Sequence, residues 1–254
     1  MNKFRSLMIS YQFRLSRLAL LSFLVVFSCS QKGRKASLDI EDGDTNNQIL
    51  VETKSSESNS SWVVEFSEDF SKTEIGSEPE SIFILDGAYS VQLGDGKNKI
   101  LTLPGTPMGD FGLLFGPRIR EKGLELRFSF FSTNKGRRMP SIAAGIGGIR
   151  GLQLRLNPAA RNLVLSYDET NLKKVPFLWV DAQWWEVRFQ ITPEDSCSST
   201  NVKLKLWPLR ENEPRAWLVN EKFDIEYKGG KCALWGFPYA STLIAFDNLL
   251  ILSK

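Results

Sequence analysis

The stretch Trp184-Trp185-Glu186-Val187-Arg188-Phe189-Gln190-Ile191 decides the fold. Trp185, Val187, Phe189 and Ile191 fall on one face, and Glu186, Arg188 and Gln190 on the other. A period of two is the mark of a pleated strand with one buried face. The same alternation recurs outward in both directions. Leu124, Leu126, Phe128 and Phe130 alternate with Glu125, Arg127 and Ser129. Leu152, Leu154 and Leu156 alternate with Gln153 and Arg155, and the turn-like Asn157-Pro158-Ala159-Ala160-Arg161-Asn162 leads into Leu163 to Tyr167, which predicts a hairpin. Val202, Leu204 and Leu206 alternate with Lys203 and Lys205. The segment from Thr242 to Leu252 is almost continuously apolar and is expected to be buried on both faces. No long window carries a helical period. Many strands joined by Gly, Pro and Asn turns predict an all-β sandwich over residues 62–254.

The chain has 254 residues, 42% hydrophobic and 24% charged, ordinary values for a globular protein. It contains no histidine. That excludes Ser-His-Asp and Cys-His catalysis and histidine-ligated zinc or haem. Residues 1–28 read as an export signal. Lys3, Arg5, Arg14 and Arg17 precede an apolar run from Leu18 to Phe27, with no acid anywhere in the segment. The run is too short for a spanning helix. Residues 29–61 are polar, with the acidic stretch Asp39 to Asp44 and the serine-rich Lys54-Ser55-Ser56-Glu57-Ser58-Asn59-Ser60-Ser61, and read as a flexible tether. Removing the leader's cations takes the formal net charge from +3 to about −1, so a general nucleic-acid surface is not expected. Arg118, Arg120, Lys122, Lys135, Arg137 and Arg138 lie in turn-like sequence and read as a solvated rim.

Val26-Phe27-Ser28-Cys29 resembles a bacterial lipobox, with Phe27 departing from the usual small residue. The resemblance implies lipidation of Cys29 and anchoring to the cell envelope. Ser30 in the following position resembles the sorting pattern of outer-membrane lipoproteins. In an exported domain the two remaining cysteines, Cys197 and Cys232, read as one disulfide. It would close a loop of about 35 residues and contribute roughly 3–4 kcal/mol. Two free buried thiols are the alternative.

The order of motifs resembles the concanavalin A-like lectin/glucanase jelly-roll domains. Val64-Glu65-Phe66-Ser67-Glu68-Asp69-Phe70 resembles their first strand, and Trp184 to Phe189 their "W-x-x-v-r-v" strand. Leu206-Trp207-Pro208 with Glu213-Pro214-Arg215-Ala216-Trp217 resembles a hairpin of these domains, and Ala245-Phe246-Asp247-Asn248-Leu249-Leu250-Ile251 their last strand. The resemblance implies a jelly roll and leaves open a sugar-binding module, a glycoside hydrolase or a protein-interaction domain.

Family members that cleave β-glucans carry Glu-x-Asp-x-x-Glu on one strand, and this sequence has no such triple. Asp224 and Glu226 share a face by parity, which a solvated strand also explains. Sugar-binding modules present indole faces to pyranose rings. Parity places Trp185 in the core, while Trp184 and Trp207 fall out of register with it. Trp179, Trp217, Trp235 and Tyr239 lie near loops or strand ends. These six aromatics, Trp185 aside, are the candidate glycan contacts. Glu68, Asp69 and Asp247 occupy places where related modules bind a structural calcium, and three carboxylates alone fall short of the six to eight oxygens calcium takes. The expectation is a lipid-anchored, non-enzymatic envelope protein that binds a glycan or another envelope component.

Overall fold

The computed structural model describes residues 61–107, 109–194 and 198–254. The leader, Cys29, most of the tether and Cys197 lie outside them. In chain order the strands are β1 (Val63–Glu68), β2 (Ile82–Ile84), β3 (Ser90–Leu93), β4 (Lys99–Leu103) and β5 (Phe111–Ile119). There follow β6 (Leu124–Ser132), β7 (Ser141–Ile146), β8 (Leu152–Asn157), β9 (Asn162–Tyr167) and β10 (Thr170–Pro176). The last five are β11 (Trp184–Glu194), β12 (Ser199–Pro208), β13 (Val219–Phe223), β14 (Gly230–Phe237) and β15 (Ile244–Ser253). No helix occurs among the described residues.

Two antiparallel sheets stack face to face, as the sequence predicts. The first runs β13-β12-β11-β6-β15-β4-β3, with β1 pairing on β15 beyond the end of β4. The second runs β10-β9-β8-β7-β14-β5-β2. The predicted hairpin is β8–β9, closed with Asn157 opposite Asn162. The inward residues of β6 and β11, including Phe128, Phe189 and Ile191, are fully buried and face Leu113, Phe115, Leu154 and Leu165 from the other sheet. Phe128 lies 6.3 Å from both Phe130 and Phe246, tilted against each. Of the run expected to be buried on both faces, Ile244 to Asp247 at the start of β15 are, whereas Asn248 is exposed and Leu250 and Leu252 are half-buried. The sheets are also tied at their edges, where Lys173 of β10 pairs with Glu221 of β13.

One expectation is corrected. The polar residues of β6 and β11 are not a solvated face: Glu125 is 0% exposed and Ser129 1%. Glu125 is enclosed by Arg127 and Arg188, and Ser129 by Glu186 and Asn248, while the β12–β13 connection folds back over β11 and β12. Glu213 in that connection accepts hydrogen bonds from Arg188 (2.8 Å) and Lys205 (2.6 Å). Asp224 and Glu226 also differ from expectation, lying exposed after β13 rather than on a strand. The six rim cations are exposed as expected.

Candidate functional site

Cross-strand register fixes what stands together on the outer face of the first sheet. One row runs Trp207–Glu186–Ser129–Asp247 across β12, β11, β6 and β15. The adjacent row holds Trp184, Phe131, Ala245 and Thr102. On the other side lie Lys205, Arg188, Arg127 and Leu250. An out-of-phase residue on each strand thus becomes a neighbour of the others.

Trp184 and Phe131 form a tilted aromatic pair with centroids 5.7 Å apart. They wall a hollow of about 310 Å³ whose other sides are Gln92, Ile100, Thr102 and the β3–β4 turn from Gly94 to Asn98. The Gly94 N–H donates to the Asn98 carbonyl at 2.8 Å, which closes the turn beside the aromatic wall. The Asn98 amide donates to Asp247 Oδ2 at 2.9 Å and joins that turn to β15.

Asp247 owes its aim to a bulge. Between Asp247, opposite Ser129, and Leu250, opposite Arg127, β15 carries two residues, Asn248 and Leu249, against the single Phe128 of β6, one residue more than the regular ladder. Asn248 takes a left-handed φ of 54°, which asparagine tolerates better than most residues. Its N–H donates to Asp247 Oδ1 at 2.8 Å, and its amide donates to Ser129 Oγ at 3.3 Å. Ser129 donates in turn to Glu186 Oε1 at 2.7 Å. Burial pushes the Glu186 carboxyl above its ordinary range, only partly offset by the Ser129 hydrogen bond. Burial likewise pushes Asp247 up, against the Asn248 and Asn98 donors. Chemically, the arrangement sets an aromatic wall of two tilted rings beside fixed donors and acceptors.

The neighbouring row is a closed network rather than an open site. Glu125 accepts from Arg127 (2.5 Å) and Arg188 (2.9 Å), and Glu213 links Arg188 to Lys205. Trp217 lies under these cations, with Lys205 4.5 Å and Arg188 5.2 Å from its ring centre.

Of the six predicted aromatics, Trp184, Trp207 and Trp217 share this face. Trp235 is corrected: it lies within β14 on the outer face of the second sheet and is 8% exposed, packed against Ala143, Ala233, Leu114 and Phe237. Trp179 is corrected to the core: it is 3% exposed, because the chain between β10 and β11 turns inward. There Phe177 stacks edge-on against Trp185, whose Nε1 donates to the Val180 carbonyl at 2.9 Å. Tyr239 sits in the turn before β15, its N–H bonded to Thr242 Oγ1.

Glu68, Asp69 and Asp247 do not converge. Glu68 accepts from the Phe70 N–H and from Ser81, and exposed Asp69 accepts from the Ser71 N–H. No group of three or more metal-type ligands forms among the described residues. Cys232 is a free, buried thiol on β14, pushed up to about 12 by desolvation. The sequence reading missed Glu186, Ser129, Phe131 and Asn98 as site residues. Shared out-of-phase parity of Phe131 and Glu186 was the available signal.

No protein-family model matches this chain, and no curated protein matches it either. Solved structures with the same architecture do. Lectin II from Ulex europaeus aligns with a TM-score of 0.51 at 12% identity, covering 76% of this chain and 100% of that one. A Bauhinia forficata lectin in complex with GalNAc gives 0.51 at 7% identity, covering 75% and 98%. The carbohydrate recognition domain of Emp46p, in a metal-free form, gives 0.53 at 11% identity, covering 75% and 97%. At these identities the likeness is one of fold. The fold is a concanavalin A-like jelly roll, the fold of these lectins.

Proposed function

We propose that this β-sandwich is a non-enzymatic glycan-binding domain, held at the cell envelope by a lipid on Cys29 and the tether that follows. The observation that carries the reading is the hollow walled by Trp184 and Phe131 beside the Asn98–Asp247 pair. A pyranose has one apolar face and a rim of hydroxyls, so it needs an aromatic wall together with donors and acceptors. The hollow suits one or two sugar rings, at the small end of ligand pockets. The lectins and the carbohydrate recognition domain of like fold support the same class of ligand. The absence of a Glu-x-Asp-x-x-Glu strand supports binding over hydrolysis.

The test is a glycan array with the full chain in detergent. Binding to one sugar class is expected, weakened about ten-fold or more by Trp184→Ala. A blank array with folded protein rejects glycan binding and turns attention to an envelope protein partner. Binding that Trp184→Ala leaves unchanged moves the site elsewhere. Lipidation is tested separately, since mass spectrometry of the membrane-extracted protein is expected to find a diacylglyceryl adduct that Cys29→Ser removes.

A second reading rests on Glu186 and Asp247, two carboxyls flanking Ser129 and both held toward protonation. Carboxyls in that condition can act as acid and base on a glycosidic bond. Release of reducing ends from the bound glycan, abolished by Glu186→Gln, selects hydrolysis over binding.

A further inference from the structure

Three exposed aliphatic side chains share one end of the sandwich. At that end β6 finishes with Phe131 opposite Trp184, the first residue of β11, and β8 meets β9 with Asn157 opposite Asn162. The β6–β7, β8–β9, β10–β11 and β12–β13 connections all lie there. In the β10–β11 connection, Phe177-Leu178-Trp179-Val180 alternates. Trp179 is buried and Phe177 packs edge-on against Trp185, while Leu178 and Val180 point outward at 68% and 57% exposure. An alternating segment that faces water carries polar residues at its outward positions, and here both are aliphatic. The segment is pinned at two points: Trp185 Nε1 donates to the Val180 carbonyl at 2.9 Å, and the Phe177 N–H donates to the Arg161 carbonyl at 3.0 Å. Leu209, 47% exposed, follows β12, and its N–H donates to the Trp184 carbonyl at 2.9 Å.

Cations surround these tips. The Ala182 N–H donates to the Ser132 carbonyl at 2.9 Å, so the β10–β11 connection rests against the foot of the β6–β7 connection. The latter folds into a tight turn. Lys135 N–H donates to the Arg138 carbonyl at 2.9 Å and Arg138 N–H to the Lys135 carbonyl at 3.1 Å, which sets Lys135, Arg137 and Arg138 on one tip. Arg161 stands at the β8–β9 turn, and Arg210 and Arg215 in the β12–β13 connection; all six are exposed. The acids of these four connections are Asp181, Glu211 and Glu213, the last already engaged by Arg188 and Lys205. Asp86 and Asp110, in the β2–β3 and β4–β5 connections, belong to the other edge of the two sheets. At the other end of the sandwich the balance reverses. There Arg150 pairs with Asp168 and Lys228 with Glu226, and exposed Glu121, Glu169 and Asp224 add further acid.

Exposed aliphatic tips ringed by cations match a bilayer with anionic head groups: the aliphatics enter the head-group boundary and the cations meet lipid phosphates. We propose that this end of the sandwich docks on an anionic bilayer, with Leu178, Val180 and Leu209 inserted and the cations around them at the phosphates. The proposal draws on the envelope anchoring proposed above, and the chain length permits it. β1 starts with Val63 opposite Ser253, at the other end of the sandwich, so the chain from Cys29 has to return along the domain. A coil the length of residues 29–61 spans roughly 30 Å. That matches the roughly 33 Å of a ten-residue strand such as β15.

The test is hydrogen exchange of the full chain reconstituted in nanodiscs of phosphatidylglycerol or of phosphatidylcholine. Amides of residues 177–183 and 134–139 are expected to exchange about ten-fold more slowly on phosphatidylglycerol, while those of 120–123 and 147–151 at the other end keep their rates. Leu178→Asp combined with Val180→Asp, and separately Arg137→Gln combined with Arg138→Gln, are expected to lose that difference. All four side chains are exposed, so the fold is kept. Equal exchange on the two lipids, slowing confined to the other end, or slowing that either variant leaves unchanged each overturns the proposal. Slowing in detergent alone that grows with protein concentration assigns the surface to a second copy and overturns it as well. The mass of the same sample separates docking from anchoring: a missing diacylglyceryl adduct refutes the lipid on Cys29, and the docking is still read from the exchange rates.

Discussion

At the scale of single residues, two side chains test opposite kinds of burial. Phe128 is wholly enclosed and touches aromatic rings on both sides. Truncating it leaves a cavity that a well-packed sandwich cannot close, so Phe128→Ala is expected to cost about 3–5 kcal/mol in urea denaturation. Glu186 presents a carboxyl whose charge is penalised by burial. Because its folded pKa lies above the unfolded one, the folded state binds more protons between the two values, and stability falls as pH rises through that window. Below the unfolded value, near 4, the penalty is absent. Glu186→Gln keeps the acceptor for Ser129 and removes the ionisation. The variant is therefore expected to gain stability over wild type at pH 7 and none at pH 3, seen as a shift in urea midpoint at the higher pH only. A midpoint difference independent of pH contradicts the burial argument.

At the scale of elements, the connection from β12 to β13 works as a strap. Its Glu213 is held well below the usual carboxylate range: burial raises its pKa, and the Lys205 and Arg188 hydrogen bonds more than reverse that. A depressed folded pKa contributes stability above the unfolded value that disappears as pH falls through the folded one. Trypsin cleavage at exposed Arg210 and Arg215 is expected to quicken several-fold in Glu213→Gln at pH 7. Unchanged cleavage shows that the strap is held by Trp217 packing alone. The strap also marks the limit of what the sequence discloses. Strand parity is local, so β6, β8, β9, β11 and β12 were legible from alternation, and the β8–β9 hairpin from its turn residues. The cover over Arg188 and Lys205 is a long-range event: a connection of mixed composition returns across β11 and β12, and no periodicity encodes where it lands. The Asp247–Asn248 pair was legible as a motif but not as a bulge, because a bulge is defined by its partner strand. Trp179 misled for the related reason that a tryptophan near a loop can be the loop's anchor rather than its display.

At the scale of the whole molecule, the two sheets share one core. Cys232 reports on that core. Its thiol is buried on β14, directly beneath the sheet that carries Trp235, and desolvation holds it in the unreactive protonated form. Only opening of the sandwich exposes it. A thiol-specific reagent at pH 8 is therefore expected to leave Cys232 unmodified in the native protein and to modify it fully in urea without any reductant, with peptide mapping to locate the label. The urea dependence should follow the loss of tryptophan fluorescence, since the core and its indoles open together in a cooperative domain. The same experiment decides the disulfide that the export signal led us to expect. A bond from Cys232 to Cys197 keeps Cys232 unlabelled in urea until reductant is added, whereas the free thiol described on β14 is labelled at once.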